Sequence, residues 1–173
     1  MAKDFEDHCW QDIVSDEILM VYEPYHRETY VGERPALLAI DLYNLAYRGG
    51  AREPHELISE FPSTCGRYAW EAVEPTKKLF QAARAAGLPI IYTTAPTVSD
   101  VVATNRQVGL GDSDDDYAIF EEFAPREDDI VIVKERASAF YGTPILPELT
   151  RLGVNSLIIC GESTSGCVRA SCV

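Results

Sequence analysis

Four short apolar runs constrain this chain more than any other feature: Pro35–Ile40, Leu88–Thr94, Asp129–Val133 and Ser156–Cys160. Pro35–Ile40 is apolar at every position, which is what a strand covered on both faces requires. Between the runs the periodicity turns helical. Pro75–Ala86 carries an inward stripe of Leu79, Ala82, Ala83 and Ala86, with Pro75 suited to the first helical position and Gly87 to the stop. Pro144–Leu152 reads as a second helix, closed by Gly153. Strands alternating with helices predict an α/β protein: a parallel sheet with helices on both faces, a Rossmann-like three-layer sandwich with right-handed crossovers.

The remaining segments are less regular. Residues 1–33 read as a polar N-terminal extension with a short helix near Phe5–Ile13, and Tyr22, Tyr25 and Tyr30 fit it to pack on the body or on a partner subunit. Residues 34–173 form the domain proper. Residues 44–67 are a long connection with a helical turn at His55–Glu60, and residues 95–128 are loop-rich with a turn around Val101–Gln107. The acidic runs at Asp112–Asp116 and Arg126–Asp129 read as solvated loops.

Composition excludes several classes. The 173 residues suit one domain with a real core. No apolar stretch reaches the length of a membrane span. A net charge of −13 disfavours nucleic acid as a partner. The acidic N-terminus has no apolar signal region, which leaves the cytoplasm as the default. The five cysteines contain no C-x-x-C pair, so reduced thiols are expected rather than a disulfide framework or a zinc knuckle.

Ligands of an open parallel sheet bind beyond the carboxyl ends of its strands. Three reactive side chains fall there: Asp41 after the first strand, Lys134 after the third, and Cys167 on the small-residue turn Gly161–Gly166 after the fourth. An Asp there is often a turn residue, a Lys is often solvated, and Cys167 could be one incidental cysteine of five; the joint placement favours a site. The turn reads as opening a helix, whose dipole and amides predict a lowered thiol pKa. Asp41 suits the base that takes the thiol proton, and Lys134 the cation that holds the carboxylate ionised and stabilises a thiolate or oxyanion. His8, His26 and His55 lie in polar segments and suit surface positions.

Three blocks then resemble the isochorismatase-like cysteine hydrolases, in particular their N-carbamoylsarcosine and maleamate amidohydrolase branch: Ala36–Asn44, Val133–Phe140 and Gly161–Ala170, with Glu74–Thr94 between them. The resemblance covers most of residues 34–173. It implies a triad in which Asp41 is the general base, Lys134 its electrostatic partner and Cys167 the nucleophile. It also implies a cis Glu162–Ser163 bond, with the amides of Ser163 and Cys167 as oxyanion donors. The implied activity is hydrolysis of the C–N bond of a small amide or N-carbamoyl acid through a thioester, releasing ammonia. No cofactor is implied, and a homo-oligomer, dimer or tetramer, is expected.

Two departures sharpen this. Nicotinamidases of the superfamily carry an Asp-x-His-x-x-His metal site, whereas Thr94–Asp100 has no histidine, so no catalytic metal is expected and nicotinamide is disfavoured. Members that cleave isochorismate lack the cysteine, so Cys167 argues for amide chemistry. The second departure is length. Relatives continue beyond this helix with another strand and helix, so the reading expects a domain incomplete at its C-terminal end.

Ser138, Phe140 and Thr164 are candidates to line the substrate pocket, and Tyr43 and Asn44 to shape its floor; core packing is an equal reading for the aromatics. Arg169 suits either a substrate carboxylate or the helix surface. Two other classes stay open: an inactive binding or structural subunit with this fold, and a thiol-redox protein, for which Cys160 and Cys172 are poorly placed resolving partners.

Overall fold

The computed structural model describes residues 13–25, 30–97, 111 and 113–173. The chain divides into two compact units, residues 1–31 and 32–173. In the first, α1 (Asp16–Tyr22) runs into a 3-10 turn at Glu23–Tyr25, and the Tyr22 and Tyr25 rings lie 6.2 Å apart. The helix expected near Phe5–Ile13 and the turn expected at Val101–Gln107 lie outside the described residues, apart from Ile13.

The second unit is built on β1 (Pro35–Ile40), β2 (Ile90–Thr94), β3 (Ile130–Val133) and β4 (Ser156–Gly161). All pairings are parallel, in the order β3-β2-β1-β4. The central strand β1 is buried from Ala36 to Ile40, as its unbroken apolar run requires. Its alternate residues feed two cores. Leu37 and Ala39 join Tyr92, Val73, Phe80 and Ala83 on one face. Ala36, Leu38 and Ile40 join Ile91, Ile132, Ile145 and Leu149 on the other. Helices therefore cover both faces, giving the three-layer α/β architecture.

Between β1 and β2 run α2 (Asn44–Tyr47), α3 (Pro54–Leu57) and α4 (Arg67–Ala85). The long helix departs from the sequence expectation: Pro75 lies inside it, not at its start. Proline removes one intrahelical bond, but Ala69 and Val73 bury the preceding turns against the sheet and hold them helical. The buried stripe is Ala69, Val73, Phe80 and Ala83, whereas Ala82 and Ala86 are exposed.

Two carboxylates of the acidic runs differ from the solvated reading, whereas Asp114, Asp115 and Arg126–Asp128 are exposed as expected. Ser113 caps α5 (Asp114–Tyr117) in a capping box with Asp116, which is buried and takes Arg48 at 2.9 Å. Asp129 is held by both terminal nitrogens of Arg84, at 3.1 and 2.6 Å. Cations from α2's C-terminal flank and from α4 make these carboxylates structural. A 3-10 turn at Glu121–Phe123 follows α5, α6 (Ile145–Arg151) precedes β4, and the chain passes through a π-type turn at Thr164–Val168 into α7 (Arg169–Cys172). Among the described residues no helix is long and apolar enough to cross a membrane.

Candidate active site

The parallel register brings three strand ends together. Asp41 follows β1 in a left-handed conformation, φ 54°, and its amide bonds the Thr93 carbonyl at 3.1 Å. Few non-glycine residues adopt that conformation, and here it ends the strand sharply at the carboxylate. Lys134 follows β3, its amide held by the Thr94 carbonyl at 2.8 Å. Gly161 ends β4 at φ 131°, and a Cβ there would stand 2.0 Å from the Ile40 oxygen, so only glycine permits this approach. The Glu162–Ser163 peptide is cis, and the Glu162 amide extends the pairing to Ile40 O at 2.9 Å.

Lys134 Nζ lies 2.7 Å from Asp41 Oδ2 and 3.4 Å from Cys167 Sγ. Both charged side chains are 4% exposed, so the pair is almost fully removed from water. Asp41 Oδ1 accepts the Thr93 hydroxyl at 2.9 Å, which occupies the second carboxylate oxygen. Thr93 was not singled out in the sequence; a hydroxyl among the apolar residues of a buried strand is the signal that marks it. A second positioning contact also escaped the sequence: Ser171 Oγ donates to the Cys167 carbonyl at 2.8 Å and accepts the Ala139 amide at 2.9 Å.

The thiol corrects one expectation. Burial, reinforced by the charge of Asp41 and its hydrogen bond with the thiol, pushes Cys167 up to about 11, and Lys134 offsets this only in part. The anticipated lowering relied on a helix, but the thiol lies in an irregular π-type turn followed by a single short turn of helix. These surroundings favour the protonated thiol over the thiolate. Cys160 is pushed up to about 12 by burial within β4, and Cys172 is exposed on α7.

The remaining candidates separate. Tyr43 is a near neighbour of Asp41 and Cys167, whose charges, after burial, push its phenol up; its ring meets Tyr117 edge-on at 5.4 Å. Asn44 spends its side-chain amide on α5, donating to Asp115 O at 2.8 Å. Phe140 packs against the same apolar cluster as Cys167. Ser138 Oγ accepts the Phe140 amide at 3.3 Å within its own loop. Ser163, Thr164 and Arg169 are exposed. Among the described residues no acceptor takes the Ser163 amide, whereas the Ser163 carbonyl accepts Gly166 and Val168. A separate groove, lined by Leu149, Leu157, Ile159 and Cys172, runs beside β4 and includes none of the three central residues. Among the described residues no three His, Cys, Asp or Glu side chains converge as metal ligands would.

Residues 35–173 match the Isochorismatase domain. The chain is 32% identical to N-carbamoylsarcosine amidase of Arthrobacter sp., over 84% of this chain and 55% of that protein. It is 32% identical to maleamate amidohydrolase of Pseudomonas putida, over 82% of this chain and 65% of that one. The chain thus spans between about half and two thirds of these relatives. Among solved structures, the cysteine hydrolase from Pseudomonas syringae pv. phaseolicola superposes with a TM-score of 0.65 at 25% identity, covering 84% of this chain and 70% of that one. In sequence and in fold, the chain belongs to the isochorismatase family.

Proposed function

We propose that residues 34–173 form a cysteine-dependent amidohydrolase domain that cleaves the C–N bond of a small amide or N-carbamoyl acid through a thioester and releases ammonia. The observation that carries this reading is the Lys134 ammonium, lodged between the Asp41 carboxylate and the Cys167 sulfur. The amidohydrolase names of the relatives support the same reaction class.

In this reading Asp41 takes the Cys167 proton as sulfur attacks the carbonyl carbon. A protonated resting thiol needs such a base in place, because only the thiolate is an effective nucleophile. The carbonyl oxygen gains negative charge beside the amides of Ser163 and Cys167. Asp41 passes its proton to the leaving nitrogen, the C–N bond breaks and ammonia departs, leaving an acyl thioester. Water then gives a proton to Asp41 and attacks the thioester. Collapse expels the thiolate, which recovers the proton from Asp41. Lys134 keeps its positive charge throughout and limits the cost of the buried anions. Tyr43, Phe140, Ser138 and Thr164 remain candidates to line the pocket, and Arg169 to meet a substrate carboxylate.

The test is ammonia release from a panel of amide and ureido acids, with Cys167→Ala as control. Activity confined to the wild type, with an acyl adduct on the Cys167 peptide in quenched samples, is expected. Ammonia release that survives the substitution would overturn the covalent mechanism.

A further inference from the structure

Ser171 is the buried residue of α7, and its side chain is polar. A hydroxyl at 8% exposure needs partners, and this one has two. It donates to the Cys167 carbonyl at 2.8 Å and accepts the Ala139 amide at 2.9 Å. The first contact is local: a serine bonding back one helical turn. The second is not. It joins the nucleophile's own helical turn to the loop that carries Lys134, and it satisfies a main-chain N–H that is buried from water.

That loop has no regular structure to hold it. Residues 135–143 run between β3 and α6 without a helix or strand. At their start, the Lys134 amide is tied to the Thr94 carbonyl at 2.8 Å. Further on, the Phe140 amide meets Ser138 Oγ and the Tyr141 amide meets the Ser138 carbonyl, both at 3.3 Å and both within the loop. Ala139 is fully buried, in the same apolar cluster that Cys167 packs against, and its carbonyl accepts the Thr143 hydroxyl. An alanine methyl in an apolar cluster brings two segments close but fixes no direction between them. The hydrogen bond from Ala139 to Ser171 does, because it is directional and cannot be exchanged for water at a buried site.

We propose that Ser171 is a positioning residue: its hydroxyl clamps the backbone of Cys167 to the Lys134 loop and so sets the 3.4 Å contact between Lys134 Nζ and Cys167 Sγ. The Lys134 ammonium is held independently by Asp41 Oδ2 at 2.7 Å. Release of the clamp therefore moves the sulfur away from a cation that stays in place, and a thiol without its cation yields less thiolate. The proposal deepens the amidohydrolase reading and rests on it only for the kinetic consequence; the placement of the thiol does not depend on the substrate.

The experiment follows iodoacetamide alkylation of Cys167, on its own peptide by mass spectrometry, in wild type, Ser171→Ala and Ser171→Thr. Ser171→Ala is also added to the Lys134→Met/Asp41→Asn variant, in which the cation is already gone. kcat and KM are measured on whichever amide the wild type hydrolyses, and near-ultraviolet circular dichroism reports whether each variant is folded. Ser171→Ala is expected to slow Cys167 alkylation by about tenfold, the scale of one hydrogen bond, and to lower kcat similarly at nearly constant KM. Ser171→Thr keeps the hydroxyl and should stay near the wild-type rate. Without Lys134, Ser171→Ala should slow alkylation no further, because no contact is left for the clamp to set. Wild-type alkylation in folded Ser171→Ala, a folded Ser171→Thr as slow as Ser171→Ala, or an equal slowing in the absence of Lys134 would overturn the proposal. If Ser171→Ala does not fold, Ser171→Cys takes its place: it weakens both hydrogen bonds at nearly the same volume, fragment ions separate the two thiols, and the same criteria apply. If the wild type hydrolyses none of the amides tested, the amidohydrolase reading fails while alkylation still decides the clamp.

Discussion

Thr93 and Asp41 are joined by two side-chain contacts: the threonine hydroxyl donates to Asp41 Oδ1 at 2.9 Å and lies 3.3 Å from the Asp41 amide, which points back at it. Thr93 is fully buried in β2, directly beside β1. The hydroxyl therefore fixes the rotamer of the carboxylate that faces Lys134. Thr93→Val keeps the shape and removes the donor. The expected result is a loss of about 1–3 kcal/mol in urea-unfolding stability. Steady-state kinetics should show kcat about tenfold lower with KM little changed.

Lys134→Met is expected to be more severe. It leaves the Asp41 carboxylate buried without its cation, which costs about 3–5 kcal/mol in folded proteins. Combining it with Asp41→Asn removes the stranded charge. The double variant should unfold at a higher urea concentration than Lys134→Met while remaining without activity.

The raised Cys167 pKa has a defined sign. The folded protein keeps the thiol proton up to about 11, against an ordinary value of 9.0. The associated stability is complete below the ordinary value and is lost as pH rises towards the folded value. The stability difference between wild type and Cys167→Ala, from urea unfolding at several pH values, should therefore move against the wild type across that interval. In the resting protein, Cys167 alkylation should keep rising through the same range instead of levelling near 9.0.

Asp116→Ala breaks the α5 capping box and the ion pair with Arg48 together. A loss of about 1–2 kcal/mol is expected, visible as a lower Tm. Because Asn44 and Tyr43 also contact the α5 segment, KM should rise if that segment shapes the pocket.

Gly161→Ala tests the close approach of β4 to β1. The new Cβ would stand 2.0 Å from a backbone oxygen that cannot move without parting the strands. Loss of the folded signal in circular dichroism, or a protein whose Cys167 no longer reacts distinctly from Cys172, is expected.

Much of the fold was legible because burial writes itself into sequence. A strand covered on both faces must be apolar throughout, so Pro35–Ile40 announced β1 with its observed bounds. Glycine at the end of β4 was legible as a turn signal, though not the backbone contact that demands it. Helix boundaries were less so: proline at position 75 suggested a start, but tertiary packing of Ala69 and Val73 carried α4 two turns further back. Charged runs misled for a related reason. Asp116 and Asp129 look solvated in sequence, because nothing local reveals that Arg48 and Arg84 arrive from distant elements to neutralise them.

By itself, the sequence determined the strand order along the chain and the three residues that follow strand ends, Asp41, Lys134 and Cys167. Residue type and topology suffice for that, since a parallel sheet collects its carboxyl ends on one rim. Only the tertiary structure decided which atoms meet: Lys134 Nζ between Asp41 Oδ2 and Cys167 Sγ, with Thr93 on the other carboxylate oxygen. It also decided the state of the thiol. Burial and a neighbouring carboxylate act through space, so the pKa of Cys167 follows its three-dimensional surroundings more than the turn it occupies.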